Sequence, residues 1–98
     1  MIKTLEEIRE KIKQKEPYLI NRFHIKTIGI FGSFLGEEFT DESDIDILIE
    51  FSDPIDLFDF IRLEMFLTEL LGRKVDLVMK SSLKPRIKNK ILEEAIYL

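Results

Sequence analysis

A small α/β domain, a mixed β-sheet flanked by helices in the order α-β-(α)-β-α-β-α, is predicted by three features of this 98-residue chain. Residues 44–51 alternate strictly, with Ile45, Ile47, Ile49 and Phe51 on one side and Asp44, Asp46, Leu48 and Glu50 on the other, the period of a half-buried strand. Two further short apolar runs, Ile25–Phe31 and Lys74–Val78, have strand composition. Between and around them lie longer segments of helical period, and strands interleaved with helices close into layered α/β folds.

The elements follow in order. Thr4 and Glu7 have capping-box spacing, and Ile2, Leu5, Ile8 and Ile12 recur at helical intervals up to Pro17, which predicts a first helix near 3–15. Ile25–Phe31, rich in Ile and Phe and halted by Gly32, reads as a buried strand. Gly32 to Asp41 turns, with a short helix opening at Ser33, and Asp44–Phe51 is the second strand. Ser52-Asp53-Pro54 supplies a cap and a proline at the first helical position. Leu57, Phe58, Ile61, Met65, Thr68 and Leu71 follow at helical spacing until Gly72, giving a helix near 54–71. Lys74–Val78 is a third strand, and Ile87, Ile91, Ala95 and Ile96 mark a final helix after Ser81-Ser82. If the first two strands are antiparallel neighbours, Gly32-Ser33 lies next to Asp44, and a crossover helix can bring Asp76 alongside Asp46.

Length and composition bound the rest. Residues 1–98 are expected to form one domain, large enough to bury roughly two thirds of its unfolded surface. With 45% hydrophobic residues, no Cys and no apolar run long enough for a membrane span, a soluble cytoplasmic protein without disulfides or thiolate metal sites is expected. The net charge of −4 argues against broad nucleic-acid binding. Its distribution is two-sided: ten acidic and no basic residues between Glu37 and Ile61, against seven basic residues and only Asp76 between Gly72 and Lys90. Most of such charges are simply solvated faces.

Chemistry enters with the spacing of Gly32-Ser33 from Asp44-Ile45-Asp46, ten residues apart. A glycine lets the backbone approach an anion, and a serine hydroxyl with neighbouring N–H groups grips phosphate oxygens. Asp44 and Asp46, one residue apart on a strand, lie about 6.5 to 7 Å apart along the chain on one face. Their side chains can converge on one Mg²⁺ or on two. Magnesium prefers oxygen ligands and leaves positions open for water and substrate phosphates. Asp76 is the third candidate, because a carboxylate in the apolar strand Val75–Val78 is costly unless paired, metal-bound or on the solvated side. A calcium loop starting at Asp41 is excluded, since its glycine and terminal glutamate are missing and residues 45–49 alternate as a strand. Together the two halves read as a site for a magnesium-bound nucleoside triphosphate.

Gly32-Ser33-Phe34-Leu35-Gly36, then Ser43-Asp44-Ile45-Asp46-Ile47-Leu48-Ile49, with Asp76 downstream, resembles the signature of the DNA polymerase β-like nucleotidyltransferases. Nearly the whole chain is similar to their minimal members, the MntA-type antitoxins. The resemblance implies the polymerase β-like fold, with Gly32 and Ser33 binding the nucleotide and Asp44, Asp46 and Asp76 as catalytic, metal-binding residues for Mg²⁺, as a pair of ions, and ATP. It implies an antitoxin of a type VII-like toxin-antitoxin pair that transfers AMP to a tyrosine of a HEPN-domain RNase toxin, with no membrane partner and no direct nucleic-acid binding. The family commonly has Ala-Arg-Gly where this chain has Leu35-Gly36-Glu37. Another cation is then needed near the phosphates, and Lys80, Lys84, Arg86, Lys88 and Lys90 are the candidates. The alternatives are an antitoxin with a weakened site that neutralises by contact, and a small-molecule (antibiotic-type) nucleotidyltransferase. Lone His24 is expected to be structural.

Overall fold

Thr4 opens the chain's first helix, α1 (Leu5–Gln14), in a computed structural model that describes residues 4–32 and 44–98. Thr4 caps the helix as its spacing predicts, with the Glu7 side chain turned to the Thr4 hydroxyl. The Glu7 amide donates to Thr4 Oγ1 at 3.2 Å, and that hydroxyl donates to the Glu7 carboxylate at 3.1 Å. A second helix, α2 (Glu16–Phe23), follows at once and corrects the expectation that Pro17 merely ends a helix. Pro17 sits in the first turn of α2, where its missing N–H would have had no partner anyway. His24 ends α2 with φ 57°, and its carbonyl accepts from both the Ser52 amide and the Ser52 hydroxyl. Its role in the backbone is thus a left-handed cap.

Strand β1 (Ile25–Phe31) pairs antiparallel with β2 (Ile45–Phe51), and β2 pairs parallel with β3 (Val75–Met79) across the helix α3 (Leu57–Leu71). A short 3₁₀ turn, Lys80–Ser82, leads to α4 (Pro85–Glu94). The chain then adds a strand the sequence pattern did not predict, β4 (Ile96–Tyr97), antiparallel to β1. Two residues are too short to show any period. The mixed sheet has the order β3-β2-β1-β4. The predicted turn after Gly32, with its short helix at Ser33, lies outside the described residues.

Ile28 and Ile30 of β1 join Ile45, Ile47 and Ile49 of β2 on the sheet face that packs against Ile8, Ile12, Leu19, Phe23, Leu63, Leu67 and Leu71 from α1, α2 and α3. Each such aliphatic side chain contributes on the order of 1.5 to 3 kcal/mol when fully buried. The helix α3 departs from expectation twice. It begins at Leu57, capped by Asp56, whose carboxylate accepts from the Asp59 amide at 2.8 Å, so Pro54 lies before the helix. It also turns a partly different side inward: Leu71 of the predicted row is buried, but with Leu63 and Leu67, while Leu57, Phe58, Ile61 and Met65 of that row face solvent. The segment is apolar around most of its circumference, so spacing alone cannot choose the buried stripe.

Candidate active site

Asp46 sits on the central strand pair, with Phe31 of β1 opposite it on one side and Asp76 of β3 on the other. Strand alternation puts these three side chains on the face away from the isoleucine core. Neighbouring strands lie about 4.8 Å apart, so two carboxylates in register at that spacing repel unless a cation or a proton sits with them. Asp46 is half-buried and Asp76 is exposed. This is the juxtaposition the crossover through α3 was expected to create.

Gly32 closes the site from the end of β1. Its φ of +76° belongs to the left-handed region, and a methyl group built there would collide with the Asp46 carboxylate, coming within 3.0 Å of Cγ. Glycine is therefore required twice, for conformation and for room. The antiparallel β1–β2 pairing brings Gly32 against Asp46, whereas Asp44 had been the expected neighbour. Ser33 and the Leu35-Gly36-Glu37 stretch lie outside the described residues.

Asp44, half-buried just before β2, has Lys74 Nζ at 3.9 Å from Oδ2. The Ile45 amide donates to the Lys74 carbonyl at 2.9 Å, which fixes the approach to β3 beside the start of β2. Lys74 was not among the cations the sequence suggested. Its signal was its position, two residues ahead of Asp76, so that strand pairing carries it to the same end of the sheet. Of the suggested cations, Lys80 instead lies 3.8 Å from Glu50, four residues along β2 from Asp46, and 5.7 Å from the Tyr97 ring centre. Lys84, Arg86, Lys88 and Lys90 lie exposed in or just before α4.

Asp44, Asp46 and Asp76 offer oxygen atoms alone, a donor set that suits Mg²⁺ and not a soft metal. Among the described residues no three ligating side chains are gathered closely enough to hold an ion unaided. Magnesium routinely takes its remaining oxygens from water and substrate phosphate, so carboxylates that line one side of an open site fit its habits.

The nucleotidyltransferase domain family matches residues 5–98. The protein adenylyltransferase MntA of Thermococcus cleftensis is 45% identical over 95 residues, covering 97% of this chain and 96% of its own. A Methanocaldococcus jannaschii chain assigned to the protein adenylyltransferases is 45% identical over 98 residues, covering 99% of this chain and all of its own. Among solved structures, a minimal nucleotidyltransferase superposes with a TM-score of 0.79 at 35% identity, covering 96% of this chain and 95% of that one. The MntA-HepT toxin-antitoxin complex matches in fold, with a TM-score of 0.65 at 21% identity over 91% of this chain and 69% of that one. Among the described residues no helix is long and apolar enough to cross a membrane. With its helix-flanked mixed sheet and the carboxylate pair at the head of β2 and β3, the chain belongs to the nucleotidyltransferase domain family, as a minimal nucleotidyltransferase.

Proposed function

We propose that the whole 98-residue chain acts as one Mg²⁺-dependent domain that transfers AMP from ATP to a tyrosine hydroxyl of a HEPN-domain toxin, and so serves as an antitoxin in the cytoplasm. The observation that carries this reading is the register of Asp46 with Asp76 beside Gly32. The relatives named for protein adenylyltransfer, and the toxin-antitoxin complexes of like fold, support it.

Asp44 and Asp46 would hold the magnesium of the nucleotide, with Asp76 completing the set. When bound, the metal offsets phosphate charge and stabilises the oxygens that gain charge during transfer. Gly32 leaves the α-phosphate room to approach, and the Ser33 hydroxyl holds outer phosphate oxygens. Lys74, 3.9 Å from Asp44, would offset part of the phosphate charge in place of the family's arginine. Asp76, the most exposed of the three, takes the proton as the tyrosine oxygen attacks the α-phosphorus; the bond to the bridging oxygen breaks and pyrophosphate leaves.

The test uses purified chain, the HEPN partner, ATP labelled at the α-phosphate and Mg²⁺. Label should become covalently attached to the partner with the native chain, and Asp44→Asn, which keeps shape and removes charge, should abolish it. If the native chain binds and silences the partner without attaching AMP, the activity assignment is wrong and neutralisation by contact is the function.

A further inference from the structure

Four large apolar side chains stand out on the solvent side of α3: Leu57 is 69% exposed, Phe58 72%, Ile61 44% and Met65 65%. They form one stripe, since residues three and four apart share a helix face. Together they expose roughly 400 to 500 Å², within the range of a typical monomer's largest apolar patch, which is often functional, and about half of what one partner contributes to a standard interface. The core gains nothing from them, because α3 already packs through Leu63, Leu67 and Leu71.

The stripe runs toward the site. Met65, at its C-terminal end, lines a cleft of about 300 Å³ between α3 and β3 that also includes Lys74. Lys74 is the residue within 3.9 Å of Asp44. A ligand lying along α3 is thereby led from Leu57 to the edge of the carboxylate site without crossing the core.

Two observations select the kind of ligand. Strand addition to β3 is obstructed, because Glu64 accepts from the Leu77 amide at 2.9 Å and Thr68 from the Val75 amide at 3.0 Å. These side chains occupy edge donors that an incoming strand would need. The described border of the stripe is mostly acidic: Asp56 caps its N-terminal end, Glu69 lines the cleft beside Met65, and Arg62, the cation between Ile61 and Met65, is paired with Asp59 at 3.3 Å. A second copy of α3 laid against the first would bring like charges together, whereas a surface bordered by Lys or Arg would be complementary.

We propose that the Leu57–Met65 stripe of α3, with the α3–β3 cleft, is the docking surface for an amphipathic helix of the acceptor protein, apolar on one side and flanked by basic residues. The inference rests on the reading that the acceptor is a HEPN-domain protein. Docking by this helix would raise the local concentration of the acceptor hydroxyl at the carboxylates, and specificity for the partner would reside on α3.

The experiment compares the native chain with the double variant Phe58→Ser, Met65→Gln, using the full HEPN protein. Calorimetry should show at least a tenfold loss of partner affinity, and AMP transfer should show a raised KM for the partner with kcat retained. Binding of a non-hydrolysable ATP analogue, unchanged between the two, verifies that the variant is folded. Glu69→Lys should weaken partner binding as well. Equal partner affinity for native and double variant, with the native chain binding and modifying its partner, overturns the docking surface alone. A native chain that ignores the HEPN protein overturns both this inference and the reading beneath it. A sedimentation result in which the native chain is a dimer and the double variant a monomer assigns the stripe to self-association and also overturns the proposal.

Discussion

Gly32 and Asp46 exclude any larger pairing: the left-handed glycine at the end of β1 lies where a methyl group would strike the Asp46 carboxylate. The closeness couples fold to chemistry, because the same backbone that terminates β1 forms one wall of the carboxylate site. Gly32→Ala is expected to destabilise the chain by about 1 kcal/mol from the left-handed conformation alone, and further through the displaced carboxylate. Transfer of AMP should fall much more than stability does. Thermal melts read against initial rates of labelling check this, and full activity in the alanine variant would mean that Asp46 need not stay where it is.

Asp46→Asn should lower transfer by at least about a hundredfold, in line with losing one charged group that acts in the transition state. The same change should leave stability equal or slightly raised, since it relieves repulsion between in-register carboxylates. A simultaneous fall in stability would point to Asp46 as a structural residue. Melting temperature and labelling rate, measured on one preparation, separate the two outcomes.

The placement of Asp46 and Asp76 was legible in the chain, and the reasons differ residue by residue. The alternation of Ile45, Ile47 and Ile49 fixed which way Asp46 faces, since period two leaves no choice once one side is buried. The adjacency of Asp76 needed only the crossover through α3. Lys74 was missed because its nearness to Asp44 comes from strand pairing, not from local spacing. The buried face of α3 was only partly read, Leu71 correctly and Leu63 and Leu67 not, because Leu57, Phe58, Ile61 and Met65 recur at the same helical period and only tertiary packing decides between two apolar stripes.

Lys74→Met tests whether the cation beside Asp44 serves chemistry. The pair is mostly solvent-exposed, so its removal should cost no more than about 1 kcal/mol and leave the melting temperature nearly unchanged. The KM for ATP should rise several-fold. An unaltered KM would leave phosphate charge to some other group, with the α4 lysines next to be replaced.

Edge protection gives a further outcome. Glu64→Ala removes the acceptor of the Leu77 amide, and losing a partner for a part-buried donor costs about 1 to 3 kcal/mol. It also bares the β3 edge to other chains. Lower stability together with concentration-dependent light scattering is the expected result, and a stable, monodisperse variant would show that Glu64 guards nothing.

Acid sensitivity should centre on Asp59, which joins α2 to α3. Its carboxylate accepts from Arg22 at 3.0 Å and from Arg62 at 3.3 Å. The hydrogen bond from Arg22 holds it below the ordinary carboxylate range, and the same contact raises the Arg22 guanidinium. A carboxyl whose folded-state pKa is depressed adds stability that is fully present above its unfolded value and is lost as pH falls through the folded one. Denaturant midpoints of native chain and Asp59→Asn should therefore differ at neutral pH and converge once the pH is below both values. Arg22 titrates far above this window and contributes no slope there. A difference between the two proteins that stays constant on acidification would show that Asp59 acts by shape and neutral hydrogen bonding, and that its charge is dispensable.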